Sequence, residues 1–370
     1  SRQWYFNFHS VVTSFGFVEN KVDQCIYCKV SGREYIFLVL YVDDILLASS
    51  DVDLLHETKR MLSENFDMKD LGEASFVLGI EIHRDRSRHI LGLSQRAYID
   101  RILERFNMQD CKPGNIPVCK GDKLNLSQCP QTEMEKCQMQ NVPYASALGS
   151  IMYAQVCTRP DVAFATGLLG RYQSNPGHAH WIAAKKVLRY LKRTRDYIMT
   201  YRRVQNLQLV GYSDSDFAGC QDDKKSTTGY IFMLAGGAVS WKSEKQKSIS
   251  SSTMQAEFIA CFSAATQAIW LRNLIRELTV FDFVERPIQL YCDNSSAVLF
   301  INNNRSLKGS KHMEVKFLTI KESVQKGDVA VEHVSTDDMV ADPLTKGVRP
   351  CVFERHVISM GLVASLDAVF

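Results

Sequence analysis

Four acids in the second half of the sequence, Asp214, Glu257, Asp293 and Asp342, stand where they could act together. Asp214 follows the apolar start of "LQLVGYSDSDFAG", which reads as a strand ending in acids, and Asp293 stands where the strand pattern "PIQLYC" gives way to a helix. Glu257 belongs to the first turns of a long helix, on the side shared with Met254 and Cys261, so it faces inward. Asp342 lies near the start of a closing helix. An inward carboxylate is costly unless paired, and no Lys or Arg stands four residues to either side of Glu257. Acids at strand C-termini gather at one edge of an α/β sheet. Four converging carboxylates suit two Mg²⁺ ions about 4 Å apart, with Mn²⁺ as the alternative, which would clamp the attacking and leaving oxygens of an in-line phosphoryl displacement. Taken singly, Asp214 and Asp293 read as turn formers or caps, and Asp342 as a helix N-terminal acid. Their order on these element types favours the joint reading.

A second acidic feature lies in "FLVLYVDDILLAS", where Asp43 and Asp44 separate two apolar runs. The pattern predicts a strand over 35–42, a tight turn, and a strand over 45–48, within a buried sheet. Two like charges at the bend repel, and a divalent cation would relieve that. Asp is also a common turn residue, so the spacing alone does not choose between a metal site and an ordinary turn.

The elements that must hold these acids are those of a large globular chain. With 370 residues, 45% hydrophobic and 23% charged, the sequence has room for two or three domains and argues against wholesale disorder. The net charge of +3 is mild, but eight Lys or Arg and one acid, Asp196, fall between Trp181 and Arg203. Trp181, Ala184, Leu188 and Leu191 mark the buried stripe of a helix there. Lys185, Lys186, Arg189, Lys192 and Arg193 form a basic face suited to a phosphate backbone. The eleven cysteines lack zinc-ribbon spacing and read as reduced thiols of an intracellular protein. No apolar run reaches the roughly 20 residues of a membrane span, so no membrane partner is expected. Residues 110–143 are aperiodic and read as a long surface connection. From 206 on, three strands, a helix, a strand, helices, a strand and a helix describe an α/β domain with a mixed sheet.

The motifs extend further. "GYSDSDFAGC", "KKSTTGYIF", "AVSWKSEKQKSISSSTMQAEFIA", "IWLRNLI", "YCDNSSAVLF", "GSKHMEV" and "VADPLTK" resemble, in order, the ribonuclease H of copia-type LTR retrotransposons. "RQWY", "LYVDDILLAS", "FVLGIEI", "LSQRAYIDRIL", "YASALGSIMYAQVCTRPDVAFA" and "AKKVLRYLKRT" resemble the reverse transcriptase of the same Pol polyprotein. The resemblance implies an α/β chain with the C-terminal part of a palm over 1–90, a helical thumb or connection carrying the basic helix over 91–205, a ribonuclease H domain with a mixed five-stranded sheet over 206–348, and a C-terminal tail over 349–370. It implies that Asp214, Glu257, Asp293 and Asp342 are catalytic acids holding two Mg²⁺ ions, and that Asp43 and Asp44 belong to a polymerase palm. That palm also needs an upstream Asp, so the chain reads as truncated and polymerase-inactive alone, with the missing half or another Pol chain as a partner. The implied substrate is an RNA–DNA hybrid; the alternative is a decayed or merely nucleic-acid-binding copy. Lys311 and His312 are implied hybrid contacts, although Gly309 and Leu318 replace an Arg and a His of the family pattern around them. Trp241 and the following "KSEKQK" are further backbone-contact candidates. His333 is in the place of a His that assists product release in related enzymes, while its alternating neighbours read as a strand with a surface histidine.

Overall fold

The computed structural model describes residues 2–278, 286–303 and 311–368, with the backbone alone at 311–315 and 317. Contacts divide the chain into two units: Ser1–Ala74 with Ile269–Arg286, and Ser75–Ala268 with Pro287–Phe370.

In the first unit, α1 (Arg2–Ser14) leads into an antiparallel sheet, β1 (Val18–Glu19), β2 (Ile26–Ser31), β3 (Glu34–Tyr41) and β4 (Asp44–Ser49), followed by α2 (Val52–Asn65). Period-two alternation along β3 turns Ile36, Leu38 and Leu40 to one face, where they pack with Phe8 and Val12 of α1 and Leu54, Met61 and Leu62 of α2. Asp51 fixes the start of α2 by accepting a hydrogen bond from Leu54 N at 2.8 Å. The strands match the hairpin expected around Asp43 and Asp44. Tyr41 pairs with Asp44, which leaves a two-residue loop, and Val42 in it has φ 52°. A β-branched residue seldom adopts that left-handed conformation, so the tip is strained.

The second unit opens with β5 (Phe76–Val77), β6 (Ile80–Asp85), β7 (Ile90–Ser94) and α3 (Arg96–Arg105). Then come α4 (Glu133–Gln140), α5 (Tyr144–Cys157), α6 (Ala163–Gly170), α7 (His178–Arg193) and β8 (Ile198–Arg202). The mixed sheet and its helices follow as β9 (Val210–Ser215), β10 (Thr227–Leu234), β11 (Gly237–Lys245), α8 (Thr253–Glu277), β12 (Ile288–Cys292), α9 (Ser295–Asn302), α10 (Lys311–Gln325) and β13 (Val329–His333). The chain closes with α11 (Pro350–Ser359) and β14 (Leu362–Val363). The order of the mixed sheet is β11-β10-β9-β12-β13, with the first three strands antiparallel and β12 parallel to both β9 and β13. This is the five-stranded mixed sheet with flanking helices that the sequence resemblance implies.

Three boundaries differ from those expected. β6 pairs with β7, so the hairpin from residue 76 joins the second unit although the palm was expected to run to 90. The segment expected to be helical also supplies β7 and β8, and these form a second antiparallel sheet in the order β14-β8-β7-β6-β5. The expected C-terminal tail is α11 and β14, whose Phe353, Val357, Met360 and Leu362 are buried in the core. The partners of β8 in β7 and β14 lie more than 100 residues away and leave no mark on local periodicity, which is why those two pairings escaped the sequence.

Helix α8 starts as its sequence suggests, with Ser252 Oγ accepting from Gln255 N at 3.2 Å and Gln255 Oε1 accepting from Ser251 N at 2.7 Å. By length and composition Thr253–Arg276 could cross a membrane. Its apolar side chains serve the core instead: Phe258, Ala260, Cys261, Ala264 and Ala268 are buried. The helical layer is pinned by Arg159, which is buried and donates to both oxygens of Asp161 at 3.0 and 2.7 Å and to Thr194 O at 3.0 Å, while Tyr190 donates to Asp161 at 2.5 Å.

Candidate metal centre

Adjacent parallel strands bring two of the acids together. Cys292 of β12 is level with Ser213 of β9, so Asp214, near the end of β9, and Asp293, just beyond β12, stand side by side. The third arrives with a turn laid directly on the sheet. Asp214 pairs with Gly229 of β10, and a Cβ at Gly229 would lie 2.6 Å from Thr345 Cγ2 and 3.0 Å from Leu344 Cβ. The missing side chain is what admits the turn Asp342–Leu344 against β9 and β10. Ligand atoms of Asp214, Asp293 and Asp342 lie within 4.8 Å of one another, and so do those of Glu257, Cys292 and Asp293. The structure thus brings all four expected acids into two overlapping groups that share Asp293.

Burial sets their electrostatics. Asp214 and Glu257 are 1% and 6% exposed. Burial, together with repulsion from Asp342 and Asp293, outweighs Lys346 and the Thr345 hydroxyl and pushes Asp214 up to about 7. Burial, then Asp214, Cys292 and Asp293, pushes Glu257 up to about 11. The Cys292 thiol is likewise raised, by its hydrogen bond with Cys261 and by burial. Thr345 donates to Asp214 Oδ2, and Thr336 donates to Asp293 Oδ2 at 3.0 Å, so neighbouring hydroxyls orient both aspartates. Asp214 Oδ1 is buried without a hydrogen bond, and the donor set is mainly carboxylate oxygen. An orphaned buried carboxylate oxygen among further carboxylates fits a hard divalent cation such as Mg²⁺ or Mn²⁺. Asp293 is not a helix cap: Asn294 caps α9 by accepting from Ala297 N at 3.0 Å.

His333, the last residue of β13, is exposed and lies beside the centre, with Nε2 3.1 Å from the Asp293 carbonyl oxygen, to which it donates. Sequence reasoning missed Thr345, Lys346, Thr336, Cys292 and Gly229. The first two stand three and four residues after Asp342 inside a quoted motif, a signal that was present and unused. Gly229 also stands in a quoted motif, but the reason a glycine is needed there is a turn more than 100 residues away, which local pattern does not disclose.

The other candidates are arranged differently. Asp43 and Asp44 are exposed, and among the described residues neither joins a group of three ligands. The basic face of α7 is engaged within the chain. Lys186 pairs with Asp122 at 2.7 Å, Arg189 donates to Lys112 O at 2.6 Å, Lys192 to Cys111 O at 2.7 Å and Arg193 to Asn115 at 2.5 Å. Lys185 stands over the Trp181 ring, 5.7 Å from its centroid. The loop around 111–122 lies on this face, and its aperiodic sequence gave no hint of it. Trp241 is partly buried and donates to Gln155 O at 3.1 Å, and in the stretch after it Lys245 pairs with Asp223 at 2.9 Å. The side chains of Lys311 and His312, and residue Gly309, lie outside the described residues.

Residues 1–120 match the family described as reverse transcriptase (RNA-dependent DNA polymerase). The chain is 42% identical over 354 residues to the retrovirus-related Pol polyprotein from transposon TNT 1-94 of Nicotiana tabacum, covering 95% of this chain and 26% of that protein. It is 34% identical over 362 residues to the Pol polyprotein from transposon RE1 of Arabidopsis thaliana, covering 98% of this chain and 24% of that one. It therefore spans about a quarter of the length of these two polyproteins. Among solved structures, the foamy viral protease-reverse transcriptase in complex with dsDNA aligns at 15% identity and a TM-score of 0.45, over 81% of this chain and 55% of that one.

Proposed function

We propose that this chain, which belongs to the copia-type retrotransposon Pol polyproteins and matches reverse transcriptase over residues 1–120, also carries a ribonuclease H whose working centre cleaves the RNA strand of RNA–DNA hybrids with divalent cations. The observation that carries this reading is the convergence of Asp214, Asp293 and Asp342 within 4.8 Å, with Glu257 sharing Asp293. These four acids are the proposed catalytic set and the proposed ligands of Mg²⁺, within a ribonuclease H domain over 206–348. Bound there, divalent cations supply the charge that an in-line displacement at phosphorus needs. Thr345 and Thr336 hold Asp214 and Asp293 in orientation. Glu257 gives up a proton when a cation binds, since its burial favours the neutral acid until then. His333, beside Asp293 and exposed, is the proposed aid to product release. The hybrid would be recognised by shape, backbone and 2′-hydroxyls.

Asp43 and Asp44 belong, on this reading, to a palm segment within Ser1–Ala74 that does not polymerise DNA by itself. The support is the lack, among the described residues, of a third acid beside them. Cleavage of a labelled RNA–DNA hybrid by the purified chain, in Mg²⁺ and in EDTA, tests the main reading. Mg²⁺-dependent cutting that Asp293→Asn abolishes is expected. Hybrid binding without cutting by a folded chain would replace the enzyme with a binding remnant.

A further inference from the structure

The centre gathers several carboxylates, and the chain brings a cation of its own to them. Lys346 Nζ lies 2.8 Å from Asp342 Oδ1 and 3.5 Å from Asp214 Oδ2. The contact is built into the turn that carries Asp342. Lys346 follows that acid by four residues, and its backbone N–H donates to the Asp342 carbonyl at 3.2 Å. Thr345, the residue between turn and lysine, donates to Asp214. One short segment therefore supplies an acid, a hydroxyl and an ammonium to the same place.

Its exposure distinguishes this lysine from its partners. The Lys346 side chain is 38% exposed, against 1% for Asp214 and 9% for Asp342. The ammonium reaches buried acids from the solvent side, on a flexible four-carbon stem that can withdraw. A surface ion pair with both partners in water contributes little. Here one acid is wholly buried and keeps its other oxygen, Oδ1, without a hydrogen bond. A cation that takes the free oxygen and its neighbours meets the ammonium already on Asp214 Oδ2 and Asp342 Oδ1, and the two like charges repel.

We propose that Lys346 is a tethered counter-cation: it holds Asp214 and Asp342 together in the metal-free protein and must withdraw before a divalent cation takes their oxygens. It thereby sets the cation concentration at which the centre loads. The inference rests on the ribonuclease reading above in taking Asp214 and Asp342 as cation ligands. Lys346 acts through those acids and is a positioning residue.

The test is Mg²⁺ titration by calorimetry into the full 370-residue chain, as wild type, Lys346→Met and Lys346→Arg, with Asp214→Asn to identify the site. Methionine keeps most of the stem and removes the charge. Lys346→Met is expected to bind Mg²⁺ about tenfold more tightly, or about 1.4 kcal/mol, and to melt at a lower temperature in EDTA. A merely structural role would lower the melting temperature without tightening Mg²⁺ binding. Equal or weaker Mg²⁺ affinity in a folded Lys346→Met chain overturns the proposal and leaves the ribonuclease reading standing. No Mg²⁺ binding by either wild type or Lys346→Met overturns both. If Lys346→Met does not fold, Lys346→Arg decides. A guanidinium spans two carboxylates more firmly than an ammonium, so Mg²⁺ affinity must fall below wild type, and unchanged affinity overturns the proposal.

Discussion

The chain holds its acids in two contrasting ways. Asp43 and Asp44 are neighbours in sequence, at the tip of a hairpin, and both are exposed. Asp214, Glu257, Asp293 and Asp342 are at least 36 residues apart, come from a strand, a helix, a strand end and a turn, and meet in the interior. Water screens the first pair, so the hairpin tolerates two charges without any special partner. The second group has lost its water, so protons, hydroxyls, an ammonium or metal ions must replace it. Adjacency in sequence does not by itself build a metal site. Convergence in the fold does, and the cost of that convergence can be measured.

The largest expected effect breaks the comparison along function. Asp293→Asn removes an acid shared by both ligand groups and should slow hybrid cleavage roughly a thousandfold, about 4 kcal/mol of lost charge stabilisation. Asp43→Asn with Asp44→Asn should leave the same rate within about twofold, since an exposed hairpin tip supplies none of that stabilisation. The measurement is initial cleavage rate at saturating Mg²⁺. Equal losses in the two variants would mean that the exposed pair takes part in cleavage, and the division drawn here would fail.

Next in size is a change that leaves every acid in place. Gly229→Ala would drive its Cβ to 2.6 Å from Thr345 Cγ2 and 3.0 Å from Leu344 Cβ, and so lift the turn that carries Asp342. The expected cost is about 1–3 kcal/mol of stability, as for overpacking, with cleavage reduced more than hybrid binding. A variant with wild-type melting temperature and rate would show that the close approach of this turn to β10 is not what positions Asp342.

The same glycine marks the limit of what the sequence discloses. The four acids were legible because each stands at the junction of an apolar strand or helix pattern, where local periodicity carries the information. The hairpin around Asp43 and the buried stripe Ala184, Leu188 and Leu191 were legible for the same reason. Gly229, the pairing of β14 with β8, and the loop that occupies Lys186, Arg189, Lys192 and Arg193 were not. Each is decided by a partner that lies far away in sequence or in an aperiodic segment. On the basic face of α7 the helix pattern was visible in the sequence and the loop against it was not.

A pH series sharpens the comparison without mutation. Asp214 and Glu257 are held above the ordinary carboxylate range, at about 7 and about 11, first by burial. The folded state therefore holds these protons more tightly than the unfolded chain. The stability they contribute is complete below the ordinary carboxylate range and is lost as pH rises towards 7 for Asp214 and beyond it for Glu257. Each group costs at most about 1.4 kcal/mol per pH unit across its window. In EDTA the melting temperature should fall from pH 5 to pH 8, and Mg²⁺ should raise it more at pH 8 than at pH 6, because a cation must displace the same protons. Glu257→Gln should flatten the EDTA slope. A flat or rising profile in wild type would mean that the buried acids are ionised and compensated without metal, which erases the contrast with the exposed pair.

The smallest effect belongs to the hairpin, and it asks whether that tip is merely a turn. Val42 holds φ 52° between Tyr41 and Asp43, a conformation that costs a β-branched residue about 1–3 kcal/mol. Glycine adopts it without that penalty but loses about 0.5–1 kcal/mol more backbone entropy on folding. Val42→Gly should therefore be neutral to stabilising by about 1 kcal/mol, read as slower amide hydrogen exchange in β3 and β4, with hybrid cleavage unchanged. A loss of protection would mean that Val42 makes contacts worth more than its strain, although its side chain is 71% exposed. In that case the tip would be a surface held for a partner, and the exposed acids beside it would need a different explanation from the one that water provides.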